Sequence, residues 1–287
     1  LTFTAPADGE YLIRVRDVRN HCGDRYAYRV TVRRPAPGFT VSLGGANPTV
    51  YRGSAREINF TCDRIDGFDG PIDIDVTGLP PGFSVKTPIT IEAGHYSARA
   101  VIAAAADAPE PTESNWATSK VTATAHIGGE TVTRDVNSLG KIQLAKDEPT
   151  LRVRLEPAEI TVAPGSRTTV KLIADRNGYE DRIQFDVDNL PHGVIVDNIG
   201  LNRILIPKGE SERTLFITAR DWTPDTDRDF HAVARSTGRD KLSEHAANQA
   251  SFPIVLHVRG PKQLAGADGG ERRGERLLVD SAHDDHV

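Results

Sequence analysis

The chain has 287 residues, of which 38% are hydrophobic and 26% are charged, and its formal net charge is −5. This composition is typical of a soluble globular protein and excludes a collagen-like or wholly disordered chain. The longest apolar stretch, residues 100–106, is far shorter than the ~20 residues of a membrane-spanning helix, and no signal-peptide pattern opens the chain. Because the apolar stretches are too short, we expect no membrane insertion, and because the sequence has no basic stripe, we expect no nucleic-acid binding.

Methionine and cysteine usage also limits the interpretation. The sequence contains no methionine, which indicates a processed product or, as we expect, a piece of a longer polypeptide. Cys62 continues an alternation with Ile58 and Phe60, so its side chain should be buried, whereas Cys22 lies in a polar stretch that predicts a turn. We therefore expect two free thiols and cores that are held together by apolar packing.

Residues 1–35 contain two runs in which apolar and polar residues alternate, which predicts two or three strands. The first run follows an Ala5-Pro6 pair and Gly9, and the alternating residues are Phe3, Tyr11, Ile13, Val15, Asp17, Tyr26, Tyr28, Val30 and Val32. This pattern resembles the C-terminal end of the bacterial pre-peptidase C-terminal domain, a β-sandwich that is appended to secreted peptidases. The resemblance implies export and an accessory role, and it covers about the last third of such a domain.

The middle of the chain is a duplication, because residues 39–146 can be aligned with residues 150–259. Gly53-Ser54 corresponds to Gly165-Ser166, and Asp63-Arg64 corresponds to Asp175-Arg176. A strand that alternates as Ile72, Ile74, Val76 leads into Leu79-Pro80-Pro81-Gly82, and its counterpart Ile183, Phe185, Val187 leads into Leu190-Pro191-His192-Gly193. Each repeat is ~110 residues of short strands, the size of an immunoglobulin-like β-sandwich.

The predicted fold class is therefore all-β, with two tandem immunoglobulin-like β-sandwiches and a partial β-sandwich at the N-terminus. The repeats resemble bacterial immunoglobulin-like modules that are built around a Leu-Pro-x-Gly turn. We predict C-terminal strands of a pre-peptidase-type domain at 1–35, sandwiches at 36–147 and 148–260, and a flexible tail or linker at 261–287. Residues 240–248 could form a couple of helical turns, and the short linker at 145–149 predicts two separate units in a semi-rigid rod.

A catalytic site is not predicted, since the sequence has no nucleophile elbow, zinc-protease motif, phosphate-binding loop, dinucleotide fingerprint or paired Cys-x-x-Cys. The strongest metal candidate is the acidic loop Asp63, Asp66 and Asp69, whose oxygens could bind Ca²⁺. The alternative is that aspartate occurs here because it favours hairpin turns, and that the carboxylates stay solvated. No other cofactor is predicted.

Four aromatic residues are candidate ligand-binding residues: Phe68, Tyr179, Trp116 and Trp222. Phe68 and Tyr179 follow turn glycines and could form a platform for sugar rings, or could close the ends of the sandwiches. The two tryptophans lie in long segments between strands, where each could anchor a ligand or cover a core.

These patterns predict a non-catalytic extracellular spacer or presentation module of a larger secreted or surface bacterial protein, with adhesion as a further role. The alternative is a carbohydrate- or collagen-binding accessory module, with or without Ca²⁺, of a secreted peptidase or glycosidase. The expected partners are other domains of the parent chain and extracellular protein or polysaccharide. The expected form is a monomer that is extracellular, at the cell surface or periplasmic.

Overall fold

The computed structural model describes residues 3–201, 203–235 and 249–260, and their regular secondary structure is almost entirely β-strand. The helical turns predicted at 240–248 and the tail predicted at 261–287 lie outside them. In the described ranges, no helix has the length and apolar character needed to cross a bilayer.

The first sandwich spans residues 38–144 and has two main sheets. Its elements are β1 (Gly38–Gly44), β2 (Thr49–Val50), β3 (Ser54–Ile65), β4 (Ile72–Thr77), β5 (Phe83–Val85), β6 (Ile89–Ile91), β7 (Ser97–Ala104), α1 (Glu113–Trp116), β8 (Lys120–Ile127), β9 (Glu130–Val136) and β10 (Gln143–Leu144). One sheet has the order β1-β3-β7-β5 and the other β6-β4-β8-β9, while β2 pairs with β10 in parallel.

Alternation places the apolar side chains between these two sheets. Ile72, Ile74 and Val76 of β4 are buried, as their spacing predicts, and Phe60 of β3 is completely buried. Cys62 is also buried, Cys22 is exposed, and both are free thiols, which confirms the prediction for the two cysteines.

The second sandwich spans residues 151–258 and repeats this arrangement. Its strands are β11 (Leu151–Glu156), β12 (Glu159–Val162), β13 (Arg167–Arg176), β14 (Ile183–Asp188), β15 (Val194–Val196), β16 (Ile204–Ile206), β17 (Glu212–Ala219), β18 (Thr226–Arg235), β19 (Gln249–Ala250) and β20 (Ile254–Val258). The order β11-β13-β17-β15 matches β1-β3-β7-β5, and the pairings of β16, β14, β18 and β20 match β6-β4-β8-β9. The parallel pair β12 and β20 matches β2 and β10.

Both units are immunoglobulin-like β-sandwiches, because a sheet of the A-B-E-D type faces a sheet built on the C, F and G strands. Each has its own core, with Phe60 at the centre of the first and Phe185 and Phe230 in the second. The all-β fold class is thus confirmed.

The N-terminal strands are a wrong prediction. Residues 3–37 contain no strand, and every one of them is exposed. Alternation gives a segment two faces, but a strand also needs a neighbour for its backbone hydrogen bonds, and an isolated hairpin is only marginally stable. The contact with the first sandwich is made by Arg33 and the Ala36 amide, both bound to Asp66.

The expectation of separate units in a rod is also wrong, because one sheet crosses from one sandwich to the other. Strand β19 pairs with β18 of its own sandwich and with β3 of the first. The resulting sheet runs β20-β18-β19-β3-β7. Residues 249–250 come before β20 in the chain, and they lie alongside the part of β3 that extends beyond its pairing with β1.

Candidate functional site: the junction of the two sandwiches

The predicted acidic loop does not assemble a metal site in the described residues. The carboxylate oxygens of Asp63, Asp66 and Asp69 do not form a close group. Asp66 has a positive φ and bonds to Arg33 and to the Ala36 amide, and these bonds lower the pKa of its carboxyl group. Asp69 is largely exposed, at 3.9 Å from Arg64 Nε.

Phe68 and Tyr179 are buried at equivalent ends of the two sandwiches, where neither offers a platform to a ligand. The Phe68 ring contacts the Phe39 ring at 5.8 Å between centroids, and the Tyr179 hydroxyl donates to the Arg182 carbonyl at 3.3 Å.

An arginine organises each of these ends. Arg64 donates to the carbonyls of Gly70, Glu92 and His95 at 2.6–2.9 Å. Its counterpart Arg176 donates in the same way to four carbonyls, those of Tyr179, Asp181, Pro207 and Glu210. Arg64 and Arg176 occupy equivalent positions of the two repeats. Both repeats therefore use an arginine to connect loops through hydrogen bonds to their carbonyls.

The two tryptophans have different surroundings. Trp116 is the last residue of α1, where it is half-buried and packs against the core of the first sandwich. Trp222 follows β17 and is 56% exposed. Of the four aromatic candidates, Trp222 is therefore the one whose side chain is available to a ligand.

We use the name junction for the contact between the two sandwiches along β3, β7, β18 and β19. Ala103 pairs with Ala55, Ala55 pairs with Ala250, and Ala250 pairs with Val233. Directly paired residues share one face of a sheet, so these four side chains form a row across the crossing sheet. With Val101 they form a separate buried cluster.

A network of ion pairs lies beside this row on the same face. Arg235 of β18 donates through two nitrogens to Glu57 of β3, at 2.7 and 3.0 Å. Arg235 also donates to Asp186 at 2.9 Å and to Asp188 at 2.8 Å. Arg99 of β7 binds Asp188 at 2.9 Å, so charges from both sandwiches alternate across the junction.

Burial and charge act in opposite directions on these groups. Burial by itself would raise the pKa of Glu57, but hydrogen bonds from His231 and Arg235 and the charge of Arg235 outweigh it and lower the pKa to about 2. Burial and the nearby Glu57 charge raise the pKa of Asp188. Burial would lower the pKa of Arg235, but its bonds to Glu57 and the neighbouring carboxylates raise it, so Arg235 is a permanent cation.

Glu57, Asp188 and His231 have the composition of a metal site, since one ligand atom from each lies within 4.8 Å of the others. His231 Nε2 is 3.2 Å from Glu57 Oε1, and its side chain is buried. However, the guanidinium of Arg235 binds both carboxylates, which neutralises them and would repel a second cation. The arrangement is therefore best suited to fixing the two sandwiches relative to each other.

A groove with a volume of about 420 Å³ opens next to the junction. Trp222 and His192 of the second sandwich line it, together with Glu92 and His95 of the first. His192 contacts the Trp222 ring at 5.1 Å and the His95 ring at 5.2 Å between centroids. Of these residues, only Trp222 was predicted from the sequence as a candidate ligand-binding residue. A signal for His192 was present, since it fills the variable position of the Leu-Pro-x-Gly turn.

Comparisons with known proteins do not identify a family. No family model matches the chain, and no curated protein matches it. Solved structures with some similarity include domains 4 and 5 of the S-layer protein SbsC, with 16% identity, a TM-score of 0.26 and coverage of 48% of this chain and 64% of that one. The chain thus spans less than two thirds of that S-layer structure.

Two further structures are similar to larger parts of the chain. The D00-D0 domain of intimin has 12% identity and a TM-score of 0.25, with coverage of 76% of this chain and 99% of that one. The titin domains z1z2 in complex with telethonin have 16% identity and a TM-score of 0.22, with coverage of 80% and 100%.

Proposed function

We propose that the chain is a non-catalytic spacer and presentation module of a larger exported bacterial protein. Its partners are other domains of the parent chain, and it works as a monomer outside the cytoplasm. The observation that carries this proposal is the junction, where a crossing sheet and the Glu57–Arg235 pair hold two sandwiches in one orientation. A spacer that sets a fixed direction for its neighbours needs this rigidity, and it needs no cofactor.

We further propose that residues 1–35 belong to a pre-peptidase-type sandwich, with modules at 36–147 and 148–260. The support is the alternating apolar pattern, which leaves ten large apolar side chains exposed in this segment. Further strands of a sandwich would pair with this segment and bury these apolar side chains.

The spacer role is tested by measuring the distance between the two sandwiches in the full chain. Spin labels at Arg134 of β9 and at Lys208 of the second sandwich, in a variant that lacks both cysteines, report this distance by pulsed electron resonance. We expect one narrow distribution, because the junction fixes the orientation. A broad distribution, as from a flexible tether, would contradict the proposed role.

The non-catalytic part of the proposal has its own test. The full chain is incubated with broad peptidase and glycosidase substrates, and we expect no turnover above the buffer rate. Turnover that persists after repurification to constant specific activity would overturn this part, whatever the distance measurement shows.

A further inference from the structure

The groove beside the junction has the features of a ligand site, a role that a spacer alone does not require. It lies between the sandwiches, and its volume of about 420 Å³ falls in the usual range of small-molecule sites. Both sandwiches contribute to its walls, so the junction holds these walls in place before any ligand arrives.

An aromatic strip runs along this groove. Trp222, His192 and His95 follow one another with centroid separations of 5.1 and 5.2 Å. Trp222 is kept over the Leu-Pro-x-Gly turn because Gly193 has no side chain. A Cβ there would lie 2.9 Å from the indole ring and 2.5 Å from Thr223 Oγ1. The indole is thus held in position while 56% of its surface stays exposed.

Two charged side chains of the groove, Glu92 and Arg220, differ in their hydrogen bonding to the described residues. The Glu92 carboxylate is already engaged, since it accepts from Arg228 at 2.6 Å and from the His192 amide at 3.0 Å. The Arg220 side chain also lines the groove, and it makes no hydrogen bond or ion pair with the described residues. Among the described residues, the Arg220 guanidinium and the exposed Trp222 indole are thus both open to a ligand.

We propose that this groove binds an acidic polysaccharide through its uronic acid units. The apolar face of a pyranose ring would stack on Trp222, and the sugar carboxylate would accept two hydrogen bonds from Arg220. The guanidinium fork matches carboxylate geometry, so the charge of the ligand is recognised as well as its ring. A neutral sugar would leave Arg220 unused, and a folded protein partner would need a larger surface than this groove provides.

The test is a titration of the full chain with defined oligogalacturonate, with neutral maltooligosaccharide of equal length as the comparison. In a Trp116→Phe background, Trp222 is the remaining tryptophan, so its fluorescence reports directly on the groove. We expect a fluorescence change that saturates with oligogalacturonate, weakens as salt is added, and does not occur with the neutral sugar.

Variants separate the ring contact from the charge contact. Trp222→Ala and Arg220→Ala should each weaken binding by about tenfold or more, as measured by calorimetry, because anchoring residues dominate small interfaces. Tyr28→Ala and Arg134→Ala, at exposed positions away from the groove, should bind as the unmodified chain does. Both groove variants change exposed side chains, and an unchanged thermal midpoint would confirm that they remain folded.

Two results would overturn the proposal. The first is no binding of oligogalacturonate at millimolar concentration. The second is binding that the neutral sugar matches, or that both groove variants retain. Because the distance measurement between the sandwiches does not depend on any ligand, either result would leave the spacer proposal standing.

Discussion

The replacement Glu57→Gln tests the junction most directly. Folding lowers the pKa of Glu57 from the ordinary 4.5 to about 2. One pKa unit corresponds to about 1.4 kcal/mol, so the ionised carboxylate contributes at most about 3 kcal/mol to stability at pH 7. Removal of the charge also relieves Asp188, whose pKa Glu57 helps to raise, so the net loss should lie between about 1 and 3 kcal/mol.

The pH dependence follows from the sign of this shift. A carboxyl group with a lowered pKa in the folded state stabilises the protein above its unfolded pKa, and this stabilisation is lost as the pH falls from 4.5 towards 2. The difference between the unmodified chain and Glu57→Gln should therefore fall to less than about half its neutral value at pH 3. Asp188, with its raised pKa, acts in the opposite sense in the unmodified chain, and the replacement weakens this effect because Glu57 helps to raise that pKa.

Urea unfolding of the full chain at pH 7 and pH 3 measures this difference. Glu130→Gln is the matched control, since Glu130 is an exposed glutamate on β9 and its loss should have little effect. Equal stability of Glu57→Gln and the control at pH 7 would refute the reasoning. A loss of the same size at both pH values would also refute it, because the loss would then not come from ionisation.

Three further predictions concern the individual sandwiches. Arg64→Met and Arg176→Met should each cost about 2–4 kcal/mol in urea unfolding, because several carbonyls lose a charged donor, and no loss would show that water replaces it. Burial raises the pKa of the Cys62 thiol, so a thiol reagent at pH 8 should modify only Cys22 until the chain unfolds, and rapid modification of both would contradict this burial. Gly193→Ala should lower the thermal midpoint because φ is +90° and the added Cβ meets Thr223, and an unchanged midpoint would mean that the turn can shift freely.

The sandwiches could be predicted from sequence because their signals are local. Alternation over Ile72, Ile74 and Val76 fixes which side chains face the core, and the turn glycines mark the ends of strands. Because the repeats can be aligned, strands predicted in one repeat are also predicted in the other. The N-terminal segment shows the limit of this method, since residues 3–37 have the alternation of strands and form none.

The junction could not be predicted from these signals because it lies on the outward faces of the strands. There, a charged residue on an exposed strand and a charged residue in an ion-pair network look alike. The alignment of the repeats held a weak signal, since Glu57 corresponds to Thr169 and Asp188 corresponds to Thr77. Each of these two positions is charged in one repeat and carries threonine in the other. The charged member of each pair is the one that lies at the junction.

The crossing strand β19 has a consequence for the order in which the chain folds. The Ser54 hydroxyl and Gln249 are hydrogen-bonded partners that are separated by 195 residues. During synthesis from the N-terminus, the first sandwich has all its strands by Leu144, but Ala55 and Val101 stay uncovered until Ala250 has emerged. In that interval the edge of β3 that β19 later covers stays unpaired, so the junction is completed only late in synthesis.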